Sequence, residues 1–110
     1  MANEIYYYYL RNSENHPVGC VAIQETHDGK INRGVSLCSK KDHFNKNHAR
    51  GLALSRLNEA KESLFSKPFN QYYGNQPTMP AVANLPCEKY SCNVVPTDFE
   101  KRILTKPEEA

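Results

Sequence analysis

One stretch, from Arg33 to Phe65, runs out of a period-two segment straight into a long helix-period segment, and this pairing constrains the fold more than any other part of the chain. Residues 31–38 (INRGVSLC) set Ile31, Arg33, Val35 and Leu37 on one face and Asn32, Gly34, Ser36 and Cys38 on the other, the alternation of a half-buried strand. No proline follows until Pro68, so a helix has room to form. Ser39 is placed to cap it, with Asp42 at the capping-box position, where its charge also suits the positive helix end. At roughly 100° per residue, Ala49, Ala53, Leu57, Ala60 and Leu64 form one apolar stripe with Leu54 at its border. Toward the helix start the same stripe carries Arg50, Lys46 and His43. Either these first turns overhang the sheet in solvent, or the basic groups join the free amides of the helix start in receiving an anion. Gly51 sits in mid-helix at a cost of about 1 kcal/mol relative to alanine, which a close approach by another backbone or a ligand would explain.

The chain of 110 residues is long enough for one domain with a single modest core. Its hydrophobic fraction of 39% is low, so a homo-oligomer that completes the core is expected. The net charge of +2 is too weak for a general nucleic-acid binder. The basicity is local instead, with Lys40, Lys41, Lys46, Arg50 and Arg56 set against Asp42 alone between residues 40 and 56. That favours a small anionic ligand, or an acidic patch on a protein, over a long phosphate backbone. Cys20, Cys38, Cys87 and Cys92 contain no C-x-x-C pair and follow no signal-peptide pattern, so they read as cytosolic thiols, Cys20 and Cys38 as small core residues. Cys87 and Cys92 with scattered histidines give only a weak hint of zinc. No apolar run approaches the ~20 residues of a membrane span.

Residues 4–10 (EIYYYYL) read as a first strand with Tyr6, Tyr8 and Leu10 on one face and Ile5, Tyr7 and Tyr9 on the other. Both faces are aromatic, which predicts that the second meets a helix, another subunit or a planar ligand. Turn formers at 11–16 lead to a second strand at 17–25, and Asp28-Gly29 marks the hairpin into the third. Pro68, Pro77, Pro80 and Pro86 then punctuate a long loop whose Phe69, Tyr72, Tyr73, Met79 and Val82 argue that it is packed down, and it could form a lid. Residues 92–95 suggest a short strand, and Thr97 with Glu100 forms a capping box opening a helix through Leu104. Phe99 and Ile103 should face inward there, with Lys101 and Arg102 projecting elsewhere. The fold class predicted is α+β: an antiparallel meander of three to five strands (1–38), one long helix packed on the sheet (39–66), a Pro-rich loop (67–91), a short strand and helix (92–105) and a frayed tail (106–110).

There is no G-x-S-x-G elbow, P-loop, H-E-x-x-H or G-x-G-x-x-G pattern. Cys38, at the strand-to-helix junction and near His43 in sequence, has the setting of a nucleophile but no evident orienting acid. His16, His27, His43 and His48 follow no metal-ligand spacing. A protein without catalytic activity, metal or cofactor is expected.

The run RGVSLCSKKDHFNKNHARGLALSRLNEA resembles small phage proteins in which a strand reading R-G-[IV]-[AS]-x-C-S precedes a helix with a basic F-x-K-x-x-[GA]-R-x-[IL]-A start. That pattern is similar to the phage sponge family that counters the Thoeris defence by sequestering cyclic ADP-ribose-type signals, and the likeness covers roughly residues 5–60. It implies an oligomer in the host cytoplasm that binds a nucleotide signal without cleaving it, using arginines and aromatics at subunit boundaries. The helix arginine would be Arg50 and the arginine of the C-terminal basic pair Arg102; Tyr72, Tyr73 and Phe69 all remain open as the stacking aromatic. The expected function is therefore a non-enzymatic anti-defence protein that sequesters a cyclic ADP-ribose isomer or cyclic oligonucleotide. The alternatives are an anti-CRISPR-like inhibitor that presents the basic helix to a protein surface, and a weak nucleic-acid binder.

Overall fold

A computed structural model describes residues 4–26, 29–38, 45–62, 67–68, 82–86 and 89–104. Strand β1 (Ile5–Arg11), β2 (Pro17–Glu25) and β3 (Ile31–Leu37) form the expected antiparallel meander, and helix α1 (Lys46–Glu62) follows. A two-residue strand β4 (Lys67–Pro68), then β5 (Lys89–Val94) and helix α2 (Asp98–Leu104), complete the fold. The sheet order is β1-β2-β3-β5-β4, and every described pairing is antiparallel. The α+β class is the one anticipated.

Strand β5 is longer than residues 92–95 suggest, and it pairs with β3 through Ile31–Val94, Asn32–Asn93, Arg33–Cys92 and Gly34–Ser91. This places β3 at the centre of the sheet. All seven of its residues are buried, so the strand read as half-buried is covered on both faces. Two different cores do the covering. On one face Cys20 and Ala22 meet Ala49, Ala53 and Leu57 of α1, flanked by Ile5, Tyr7 and Tyr9. On the other Tyr8, Leu10, Val21, Ile23, Ile31, Val35 and Leu37 pack with Val82, Leu85 and the α2 residues Ile103 and Leu104. The two aromatic faces of β1 are thus met by helices of the same chain.

Helix α1 opens later than residue 39. Asn45 is its cap: the side-chain Oδ1 accepts from the His48 amide at 2.9 Å and the backbone carbonyl accepts from Ala49 at 2.9 Å. Residues 39–44, with His43 and the capping box read at Ser39 and Asp42, lie outside the described residues. The predicted stripe holds within the described helix, where Ala49, Ala53, Leu57 and Ala60 are buried.

The close backbone approach expected at Gly51 occurs at Gly34 instead. A Cβ on Gly34 would strike the Ala53 carbonyl oxygen and the Leu57 nitrogen, so the helix backbone lies directly on the strand. A Cβ on Gly51 would meet nothing within 4 Å. Two polar contacts fix the seat: Ser36 Oγ donates to the Ala49 carbonyl at 2.8 Å, and the Arg56 guanidinium donates to the Val35 carbonyl at 2.9 Å. The second contact satisfies a carbonyl just past the last β3–β5 pair, at Gly34.

Candidate functional site

Because α1 sits over the middle of the sheet, the β1 tyrosines flank it, and the side chains at its N-terminal end reach outward over them. Tyr7 and Tyr9 project on the α1 side of β1, two residues apart, and Lys46 and Arg50 lie one helical turn apart. The two periods match. The Arg50 guanidinium carbon lies 4.5 Å from the centroid of the Tyr7 ring, and the Lys46 Nζ lies 5.2 Å from that of Tyr9. Both cations are exposed and both rings half-buried. Each pair is a cation–π contact worth about 0.5–1 kcal/mol at such a site, and together they form a ladder of two charges over two rings.

The helical wheel sets Arg50 on the buried line of Leu57 and Leu64, either as an anion ligand or as an ion-pair partner of Asp98 or Glu100. It is neither buried nor so paired. Ala49 takes the inward position, and Glu100 is paired with Arg33 on the other side of the sheet. Positive potential from Arg50 reaches Cys20 beneath it. Burial nonetheless dominates there and pushes the Cys20 thiol up to about 11, so it stays protonated and acts as a core residue. Cys38 follows β3 directly, half-buried, its amide donating to the Val18 carbonyl at 2.8 Å, and the helix start lies at Asn45 rather than beside it.

The sequence reading does not single out the most heavily coordinated charge. Arg33 and Glu100 are buried on the α2 side of the sheet and form a short ion pair, with Arg33 Nε donating to Glu100 Oε2 at 2.8 Å and Arg33 Nη2 donating to Oε1. The Tyr8 hydroxyl donates to Oε2 at 2.6 Å and the Thr97 amide to Oε1 at 3.0 Å. Thr97 Oγ1 accepts from the Glu100 amide at 3.2 Å, so the capping box exists as read and its acid also anchors α2 to β1 and β3. Burial alone would raise the Glu100 carboxyl, but the donors of Arg33, Tyr8 and Thr97 outweigh it and hold the group below its usual range. The signal in the sequence is Arg33 alternating with Ile31 and Val35 on an inward strand face, which demands a buried acid. With every Glu100 oxygen engaged, this cluster is structural.

Of the candidate ligand residues, the fold brings together Lys46 and Arg50 and adds Tyr7 and Tyr9 beneath them. Arg102 is exposed on α2, across the sheet from the ladder. His43, Phe69, Tyr72 and Tyr73 lie outside the described residues. Among those residues no group of three or more His, Cys, Asp or Glu is placed to hold a metal ion, and no helix is long and apolar enough to cross a membrane. No protein-family model, curated protein or solved structure matches the chain.

Proposed function

We propose that this protein binds a small phosphate-bearing nucleotide at the Lys46–Arg50 ladder, and that it does so as a sequestering protein without transforming the ligand. The observation that carries this reading is the ladder itself: two exposed cations held over tyrosine rings, neither with a carboxylate partner among the described residues. The ring contact holds the Arg50 guanidinium in place, and the exposed side chain keeps N–H groups and guanidinium surface for a ligand. The first can grip two phosphate oxygens as a fork, and the second can carry a base or sugar. Lys46 supplies a mobile second charge one turn away. Tyr7 and Tyr9 therefore position the cations rather than stack a base directly.

The resemblance of the 33–60 region to phage sponges makes a cyclic ADP-ribose isomer the first ligand to test, with cyclic oligonucleotides next, and points to an activity in an infected host cytoplasm as an antagonist of immunity. Thermal-shift measurements with these compounds provide the test, because a ligand that binds only the native state must raise the melting temperature. A ligand that does so should lose about 10- to 150-fold in affinity in Arg50→Ala, the range for one charge-assisted contact. If none of the compounds shifts the melting temperature and the purified protein carries no 260 nm absorbance above its tyrosines, the nucleotide reading fails. A protein partner captured through Lys46 and Arg50 would then take its place.

A further inference from the structure

Strand β1 is an edge strand, and its free edge is protected at one end only. The Arg11 amide donates to Asn84 Oδ1 at 2.9 Å, the Arg11 carbonyl accepts from the Ala83 amide at 2.8 Å, and the Tyr9 carbonyl accepts from Asn84 Nδ2 at 3.3 Å. The outward backbone groups of β1 are therefore those of the odd residues, and the same period assigns those of Ile5 and Tyr7 to the open edge. Neither of these two has an outward backbone partner among the described residues. Natural sheets blunt such edges with lysine, proline, a bulge or a covering loop. Here the bulge lies at Leu10/Arg11 and the loop at residues 82–86, while 5–8 is an uninterrupted Ile-Tyr-Tyr-Tyr run.

We propose that this edge pairs with the same edge of a second copy, antiparallel and centred on Tyr6. Such a register sets Ile5 of each chain opposite Tyr7 of the other, so all the open N–H and C=O groups of both residues are satisfied reciprocally by one two-fold axis. The protected Tyr9–Arg11 segment stays outside the pairing. The two chains also present the same sheet face. Tyr7 and its symmetry mate become diagonal neighbours about 7–8 Å apart, which brings the two overlying Arg50 side chains close together. Like charges beside the axis oppose association, so an anion bound between them strengthens it. The proposal rests on the edge geometry and is independent of the identity of any nucleotide.

Sedimentation equilibrium of the full chain in the micromolar range, with and without inorganic phosphate, tests it together with two variants. Wild type should show a dimer of the 12.6 kDa chain that tightens with phosphate. Ile5→Pro removes an outward donor without touching the β1–β2 ladder, and should weaken dimerisation about tenfold or more. Tyr6→Cys should form a disulfide between the two introduced thiols on mild oxidation, identified by peptide mapping, because directly opposed non-hydrogen-bonded residues approach to about 4.5 Å between Cα atoms. A monomeric wild type overturns the proposal, as does an Ile5→Pro variant that keeps both its melting temperature and its dimer affinity. Should Ile5→Pro lower the melting temperature, the cross-link decides: its formation supports the edge register and its absence overturns it. A monomer that still binds nucleotide through Arg50 sinks only this proposal, and an edge dimer that tightens with phosphate but binds no nucleotide sinks only the ligand reading.

Discussion

The two faces of the sheet carry the same kind of residue, an arginine beside a tyrosine, and treat it in opposite ways. On the α2 face Arg33 and Tyr8 are buried and converge on Glu100, whose two oxygens accept every donor offered. On the α1 face Arg50 lies exposed on Tyr7 with no carboxylate among the described residues. A buried charge must be paired to be tolerated, so the first arginine reports on stability. An exposed one, set over a tyrosine ring with no carboxylate partner among the described residues, is the one the proposed ligand would use. Residue type alone does not separate the two; the surroundings of each guanidinium do.

The largest effect should come from the buried side of this comparison. Glu100→Ala leaves Arg33 and the Tyr8 hydroxyl without their acceptor, and breaking such a pair is expected to cost about 3–5 kcal/mol in chemical denaturation. Acid should reveal the same group. Its folded carboxyl is held below the ordinary value of 4.5, so its contribution is complete above that pH and is lost as the pH falls through the lower folded value. A Glu100→Gln variant should lack that part of the acid transition, and an unchanged pH profile would remove Glu100 from its anchoring role.

Gly34→Ala comes next. The added Cβ strikes the α1 backbone at Ala53 and Leu57, which cannot yield without lifting the helix, so a loss of about 1–3 kcal/mol or more is expected. Retained stability would mean that α1 is seated less closely than its contacts indicate. Gly51→Ala should do the opposite. Its site is open and helical, and the substitution should stabilise the free protein by about 0.5–1 kcal/mol. If the same change weakens dimerisation or ligand binding, the face of α1 around Gly51 is in contact in the assembled state.

Much of this arrangement is legible in the sequence because it rests on local periodicity. The meander, the alanine stripe of α1 and the Thr97–Glu100 capping box each depend on residues close in the chain. What is not legible depends on register between distant segments. Inserting β5 beside β3 makes that strand central, and the α1 backbone over Gly34 and Glu100 of α2 beside Arg33 enclose its two faces. Lys46 and Arg50 can be read from the helical wheel, yet Tyr7 and Tyr9 emerge as their supports only once α1 is set across the sheet. The cap at the start of α1 is local yet easily passed over: Asn45 matches a simple cap, while Ser39 and Asp42, which match a capping box, lie outside the described residues.

The most direct test of the division between structural and available arginines compares Arg50→Ala with wild type in two measurements on the same preparation: unfolding free energy without ligand, and affinity for whichever nucleotide shifts the wild-type melting temperature. Removing Arg50 should change the free protein's stability by no more than the ~0.5–1 kcal/mol of an exposed cation–π contact, while nucleotide affinity falls about 10- to 150-fold. A large loss of stability in the ligand-free variant, with affinity unchanged in the fraction that remains folded, would contradict the account and make Arg50 a structural residue like Arg33.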